Sequence, residues 1–124
     1  MLQEEELTGQ IIGAAIEVHR ELGPGLLESA YEACLCYELS LRKIPFIRQV
    51  MLPVVHKSIR VDCGYRADVI VADKVVIEAK AVESVTDLHK AQLLTYLRIS
   101  GNRIGLILNF NTVTLNDGIV RLVL

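Results

Sequence analysis

The 124-residue chain is 52% hydrophobic with a net charge of −2 and a pI of about 5.9, which suits one domain with one substantial core and excludes a disordered chain. No apolar run approaches the roughly 18 residues of a membrane span, and the acidic start from Met1 to Glu6 is unlike a secretory signal, so a cytoplasmic location is expected. The charge excludes a basic protein that coats nucleic acid, but not a nuclease, whose metal-binding carboxylates are acidic until the cation arrives.

Leu7, Ile11, Ala14, Ala15, Val18 and Leu22 recur at spacings of three and four, which predicts a helix over residues 7–22 with Thr8 as its N-cap. His19 and Arg20 read as its solvated, cationic end. Leu22-Gly23-Pro24-Gly25 then breaks the chain. A second helix is predicted from about Leu26 to Lys43, with Leu27, Ala30, Tyr31, Cys34, Leu35 and Leu41 at helical spacing. Glu28 shares a face with Tyr31 and Leu35 and is expected to look inward; the alternative is a first-turn glutamate that complements the helix N-terminus. Cys34, Cys36 and Cys63 lack zinc spacing and read as buried or half-buried free thiols.

Pro45 and Pro53 exclude helix in the next region, where β-branched residues become frequent. Residues 46–51, 52–56 and 58–63 read as short strands, with Lys57-Ser58 as a turn and His56 as a surface residue beside it. Residues 67–71 and 75–80 read as a hairpin around Ala72-Asp73-Lys74. Ser84 to Asp87 supplies capping residues for a third helix, roughly 86–100, which carries a polar file of His89, Gln92 and Tyr96. Residues 104–110 suit a sheet interior, with Gly105 allowing close approach. Thr112 to Leu115 reads as another short strand, Asn116-Asp117-Gly118 as a turn, and residues 119–124 as the final strand. The order α-α-β-β-β-β-β-α-β-β predicts a single α/β (α+β) domain over residues 1–124, a mixed sheet flanked by helices.

The hairpin holds the residues of most interest. Asp68, Glu78 and Lys80 sit in strands that otherwise look fully buried, where charges persist only if paired or bound to a metal. Glu78 and Lys80 are two apart, so a strand points both to one face. Asp68 joins that face only if it stands opposite Glu78, which needs an odd loop (three residues, or two plus a bulge); a strict two-residue turn would set it against Ala79 and point it away. Converging carboxylates of this kind suit Mg2+ or Mn2+, and a lysine beside them suits the charge that develops in phosphodiester hydrolysis. A buried salt bridge, Glu78 with Lys80 or Asp68 with Arg66, is the structural alternative.

Asp68, ten residues, then Glu78-Ala79-Lys80 resembles the core pattern of the PD-(D/E)XK nuclease superfamily. Gly25-Leu26-Leu27-Glu28-Ser29-Ala30-Tyr31 is similar to the GxxExxY signature of a family of small bacterial and archaeal proteins within it, and the likeness extends over about residues 8–122. Gln92 to Tyr96 further resembles the QxxxY element of the superfamily's exonuclease branch. The resemblance implies a restriction-endonuclease-like core and a prokaryotic, Mg2+- or Mn2+-dependent nuclease. It makes Asp68 and Glu78 metal ligands, with the Ala79 carbonyl as an extra one, Lys80 the catalytic lysine and Glu28 an additional carboxylate. Gln92 and Tyr96 would line the site and contact substrate phosphate or hold Lys80, with Tyr31 and His89 as lesser candidates. Ala67 stands where the superfamily usually has a proline.

Three functions are compatible with these residues. The first is hydrolysis of phosphodiester bonds in DNA, or in RNA as the lesser expectation. The second is a non-catalytic accessory module of the same fold that works through a partner, since the chain has no DNA-reading motif or basic arm; for the first function, a homo-oligomer or a protein partner would supply the DNA-binding groove. The third is hydrolysis of a nucleotide or other small phosphate compound.

Overall fold

The structure, a computed structural model, describes residues 4–124. Helix α1 (Glu5–Leu22) and helix α2 (Glu28–Leu41) lead into strands β1 (Phe46–Met51), β2 (Val54–His56), β3 (Ile59–Val61), β4 (Arg66–Val71) and β5 (Val75–Lys80). Helix α3 (Asp87–Ser100), strand β6 (Ile104–Asn109), a 3-10 turn at Leu115–Gly118 and strand β7 (Ile119–Val123) complete the chain. The predicted element order holds. Residues 112–114 form no strand, however, and the segment read as a turn at 116–118 lies in the 3-10 element.

Five strands form one sheet in the order β1-β4-β5-β6-β7, while β2 and β3 pair only with each other. β5 and β6 run parallel and the other pairs antiparallel, so the sheet is mixed. The period-two alternation of β5 divides the core into two layers. Val75, Ile77 and Ala79 join Ile11, Val18, Leu35 and Leu39 under α1 and α2, whereas Val76 joins Leu93 and Leu97 under α3. Glu78 and Lys80 share the parity of Val76 and so fall in the α3 layer. Gly105 of β6 permits that layer, because a Cβ there would lie 2.8 Å from the fully buried Leu93 side chain.

The hairpin register is the feature on which the site depends. Val71 stands opposite Val75, Ile70 opposite Val76 and Val69 opposite Ile77. The loop therefore has three residues, and the next step of the register sets Asp68 opposite Glu78. Ala72 and Asp73 both take left-handed backbone, with φ of 52° and 55°, and Lys74 N donates to Val71 O at 2.9 Å. This is a primed two-residue turn with Lys74 as the added residue. Left-handed backbone at two residues with a Cβ is strained, and outside contacts hold it. The Ala72 amide donates to Pro45 O at 2.8 Å and Asn102 Nδ2 donates to Asp73 O at 2.9 Å.

Several local expectations are corrected by tertiary contacts. Thr8 is not the N-cap: α1 begins three residues earlier, and the Thr8 hydroxyl donates back to Glu4 O and Glu5 O at 3.0 Å. His19 is no solvated helix end, because it is buried with Nε2 2.8 Å from Thr112 O. Cys36 is buried and Cys34 half-buried as expected, but Cys63 is exposed.

Candidate active site

The site lies where β4 and β5 part. Beyond the Val69–Ile77 pair, the Ala79 amide donates to Asp68 Oδ2 at 2.9 Å, so a side-chain carboxylate takes the place of a ladder acceptor. Glu78 beside it is only 5% exposed, and no donor among the described residues reaches its buried Oε1. A buried carboxylate oxygen without a donor is costly, and the Asp68 carboxylate alongside raises the cost. Burial first, then the Asp68 charge, pushes the Glu78 carboxyl up to about 9. Asp68 is also held above the usual carboxylate range, chiefly by burial. Two adjacent carboxyls in this condition share a proton or accept a cation.

Neither salt bridge that would explain these charges forms. The ion pairs between described residues, Arg20–Glu17, Arg48–Glu32, Arg60–Asp62 and Lys74–Glu4, include none of Asp68, Glu78, Lys80 or Arg66. Lys80 is half-buried, and its charge favours ionisation of both Asp68 and Glu78 without contacting either. Its position is fixed through the backbone and the loop that follows. Phe110 N donates to Lys80 O at 2.8 Å. The side chain of Asn109, 2% exposed, then binds Val82 from both ends, accepting from its N–H at 3.1 Å and donating to its carbonyl at 3.0 Å. Gly118 is what lets the chain close over this support, since a Cβ there would come within 2.1 Å of Asn109 O.

The helices contribute unequally. On α3, Tyr96 is 6% exposed; burial and then the charges of Glu78 and Asp68 hold its hydroxyl above the usual range, so it belongs to the carboxylate pair's surroundings. Gln92, one turn earlier, lines a cavity beside Tyr96, and its side chain makes no hydrogen bond within the described residues. His89 has a different part: its Nδ1 accepts from Thr86 N at 3.0 Å while His89 N donates to Thr86 Oγ1 at 3.2 Å. It is the reciprocal half of a capping box that starts α3.

On α2, Glu28 is exposed rather than inward-facing, and among the described residues no three His, Cys, Asp or Glu side chains form a metal-holding group. Tyr31 is fully buried, stacked on Phe110 with ring centroids 4.4 Å apart, and its hydroxyl donates to Gly23 O and accepts from Leu26 N. It braces the loop before α2. The carboxylate that α2 does bury is Glu32, 6% exposed. It accepts from Arg48 Nη2 at 2.8 Å and from Gln49 Nε2 at 2.8 Å, and its charge raises Asp68. Its spacing of four from Glu28 was the signal in the sequence that it shares that helix face.

The strand pair, the carboxylates on it and the lysine two residues on are thus one constellation, and a comparison with family models matches residues 5–122 to the PD-(D/E)XK nuclease superfamily. The chain belongs to that superfamily. Its acidic-x-lysine element is Glu78-Ala79-Lys80, and the mixed sheet flanked by helices is consistent with a restriction-endonuclease-like fold. No curated protein and no solved structure matches the chain. PD-(D/E)XK nucleases generally use divalent metals, and the residues here fit one. Mg2+ is commonly held by only one or two carboxylates plus water and phosphate, and the donorless Glu78 Oε1 beside Asp68 is such a pair. Among the described residues no helix is long and apolar enough to cross a membrane.

Proposed function

We propose that the chain is a metal-dependent nuclease that hydrolyses phosphodiester bonds, in DNA before RNA, with Mg2+ or Mn2+ held by Asp68 and Glu78. The observation that carries this reading is the buried Oε1 of Glu78, which has no donor and lies beside a second carboxylate. When bound, the cation would polarise the phosphoryl oxygen and lower the pKa of an attacking water. Lys80, on the face of Glu78 and free of ion pairs, stabilises negative charge developing on the phosphoryl group and orients the water. Gln92 and Tyr96 contact the substrate phosphate from α3. Glu28 and the Ala79 carbonyl are the further oxygens that the likeness to the GxxExxY family adds, and the likeness of Gln92 to Tyr96 to the QxxxY exonucleases favours DNA.

The test is cleavage of single- and double-stranded oligomers, and of free nucleotides, in Mg2+ and in Mn2+. Oligomer cleavage that disappears in both Glu78→Ala and Lys80→Ala is the expected result. Full activity in both variants would falsify the assignment. Turnover of nucleotides alone would move it to a small-phosphate hydrolase. No cleavage and no DNA affinity from a monomer by light scattering would favour an accessory module.

A further inference from the structure

A cavity of about 250 Å³ opens between the base of the β2–β3 hairpin and α3. Val54 and Ile99 give it apolar walls, Tyr65 and Tyr96 give it aromatic ones, and Gln92 and Thr95 line it from α3. We infer that this cavity is a subsite for one unpaired nucleobase next to the scissile phosphate, which makes single-stranded nucleic acid the substrate class. The inference rests on the nuclease reading above.

Continuity with the catalytic groups is the first support. Tyr96 forms part of the cavity wall from α3, the helix that packs over the sheet face of Glu78, so the cavity lies on the same side of the sheet as the carboxylate pair. The second is the chemistry of the walls. Tyr65 is 45% exposed and sits tilted, not stacked, against Tyr96, with ring centroids 6.5 Å apart at 56°. An exposed ring above an apolar floor is what a base stacks on, and every base has a face to offer it. The Gln92 amide, with no side-chain partner among the described residues, can donate from its NH2 to the phosphate while its carbonyl oxygen accepts from a base edge. Thr95 is already engaged, since its hydroxyl donates to Ala91 O and accepts from Arg98.

Charge argues for the same occupant. Arg66, between Tyr65 and Asp68 along the chain, is exposed and forms no ion pair among the described residues, so it is free to meet a phosphate of the strand that presents the base. A net charge of −2 gives the chain little of the counterion-release affinity on which duplex binding depends. Stacking does not need that charge. A base inside a duplex cannot enter a walled cavity without leaving its stack and its partner, which costs a few kcal/mol.

The test uses a single-stranded oligonucleotide carrying 2-aminopurine, whose fluorescence falls when the base stacks, with Lys80→Ala to prevent cleavage. Binding should quench the probe, and an equal-length duplex should bind about tenfold more weakly or worse. Tyr65→Leu should lose the quench and weaken binding about tenfold, while Tyr65→Phe keeps both. No single-strand binding, equal affinity for duplex, or unchanged quenching in Tyr65→Leu overturns the subsite. Cleavage by the wild-type chain separates the two readings. Cleavage without quenching leaves the nuclease and removes the subsite; quenching without any cleavage leaves the subsite and removes the nuclease.

Discussion

Glu32 and Glu78 are buried to nearly the same degree, 6% and 5% exposed, yet the protein treats them in opposite ways. Glu32 receives Arg48 through two nitrogens, at 2.8 and 3.1 Å, and Gln49 through a third. Successive strand residues normally point to opposite faces, and both reach Glu32 because Gln49 takes a φ of 52°. Strain of roughly 1–2 kcal/mol at such a residue is offset by the charge-assisted hydrogen bonds it permits. Glu78 has no cationic donor: among the described residues nothing donates to its Oε1, and its neighbour is a second carboxylate. Burial alone therefore does not mark a functional carboxylate. Burial without a partner does.

The comparison can be broken most forcefully by substitution. Glu78→Ala and Lys80→Ala should each reduce metal-dependent cleavage by about 10³-fold or more, as loss of a group aimed at transition-state charge does. Single-turnover assays on variants with wild-type circular dichroism measure this, and Glu32→Gln should stay within severalfold of wild type. If Glu32→Gln is instead as inactive as Glu78→Ala, the two glutamates do not differ as argued.

Metal binding offers the next largest effect. Mn2+ or Mg2+ at a hundred times its dissociation constant should stabilise the wild-type chain by about 2.7 kcal/mol. Thermal melts should show this rise in the wild-type chain and in Glu32→Gln, and not in Glu78→Ala.

pH sharpens the same point in metal-free protein. Glu78 is raised from an ordinary value of 4.5 to about 9, so between these pH values the folded chain holds more protons than the unfolded one. The stability that the neutral carboxyl allows is fully present below pH 4.5 and is lost as pH rises through about 9. Melting temperatures taken across that window should fall more steeply for the wild-type chain than for Glu78→Gln, and the substitution should raise stability at pH 8.

Glu32→Gln should lower stability by about 1–3 kcal/mol, because hydrogen bonds to a charged group are weakened and Arg48 loses its counter-ion. Denaturant midpoints report it. The smallest of these effects belongs to Glu28. If Glu28 acts as the supporting oxygen proposed above, Glu28→Ala should slow cleavage about tenfold at saturating Mg2+ and, Glu28 being exposed, leave the melting temperature unchanged.

Much of the fold was legible because its signals are local. The hydrophobic period located three helices and seven strands, whereas the face of Asp68 hung on whether the loop at Ala72-Asp73-Lys74 was odd, which the register of the structure answers with three residues. The pairing of polar groups was not legible. Glu28 and Glu32 lie on one side of α2, and nothing local tells which is buried; that depends on Arg48 and Gln49 arriving from β1. His19 finds Thr112 across 93 residues of sequence, and Gly118 is required by Asn109 O, a neighbour created only by the turn between β6 and β7.

By itself the sequence determined the element order, the two charged strands and the dependence of the site on an odd loop between them, because strand parity is a property of a few consecutive residues; the loop length itself came from the register. Only the tertiary structure decided that Asp68 and Glu78 face each other without an ion pair, that Tyr96 joins them, and that Tyr31 and His89 serve the scaffold. The reason is physical. Which buried charge is satisfied depends on donors brought from distant segments, and a carboxylate left without one can be recognised only once every neighbour is in place.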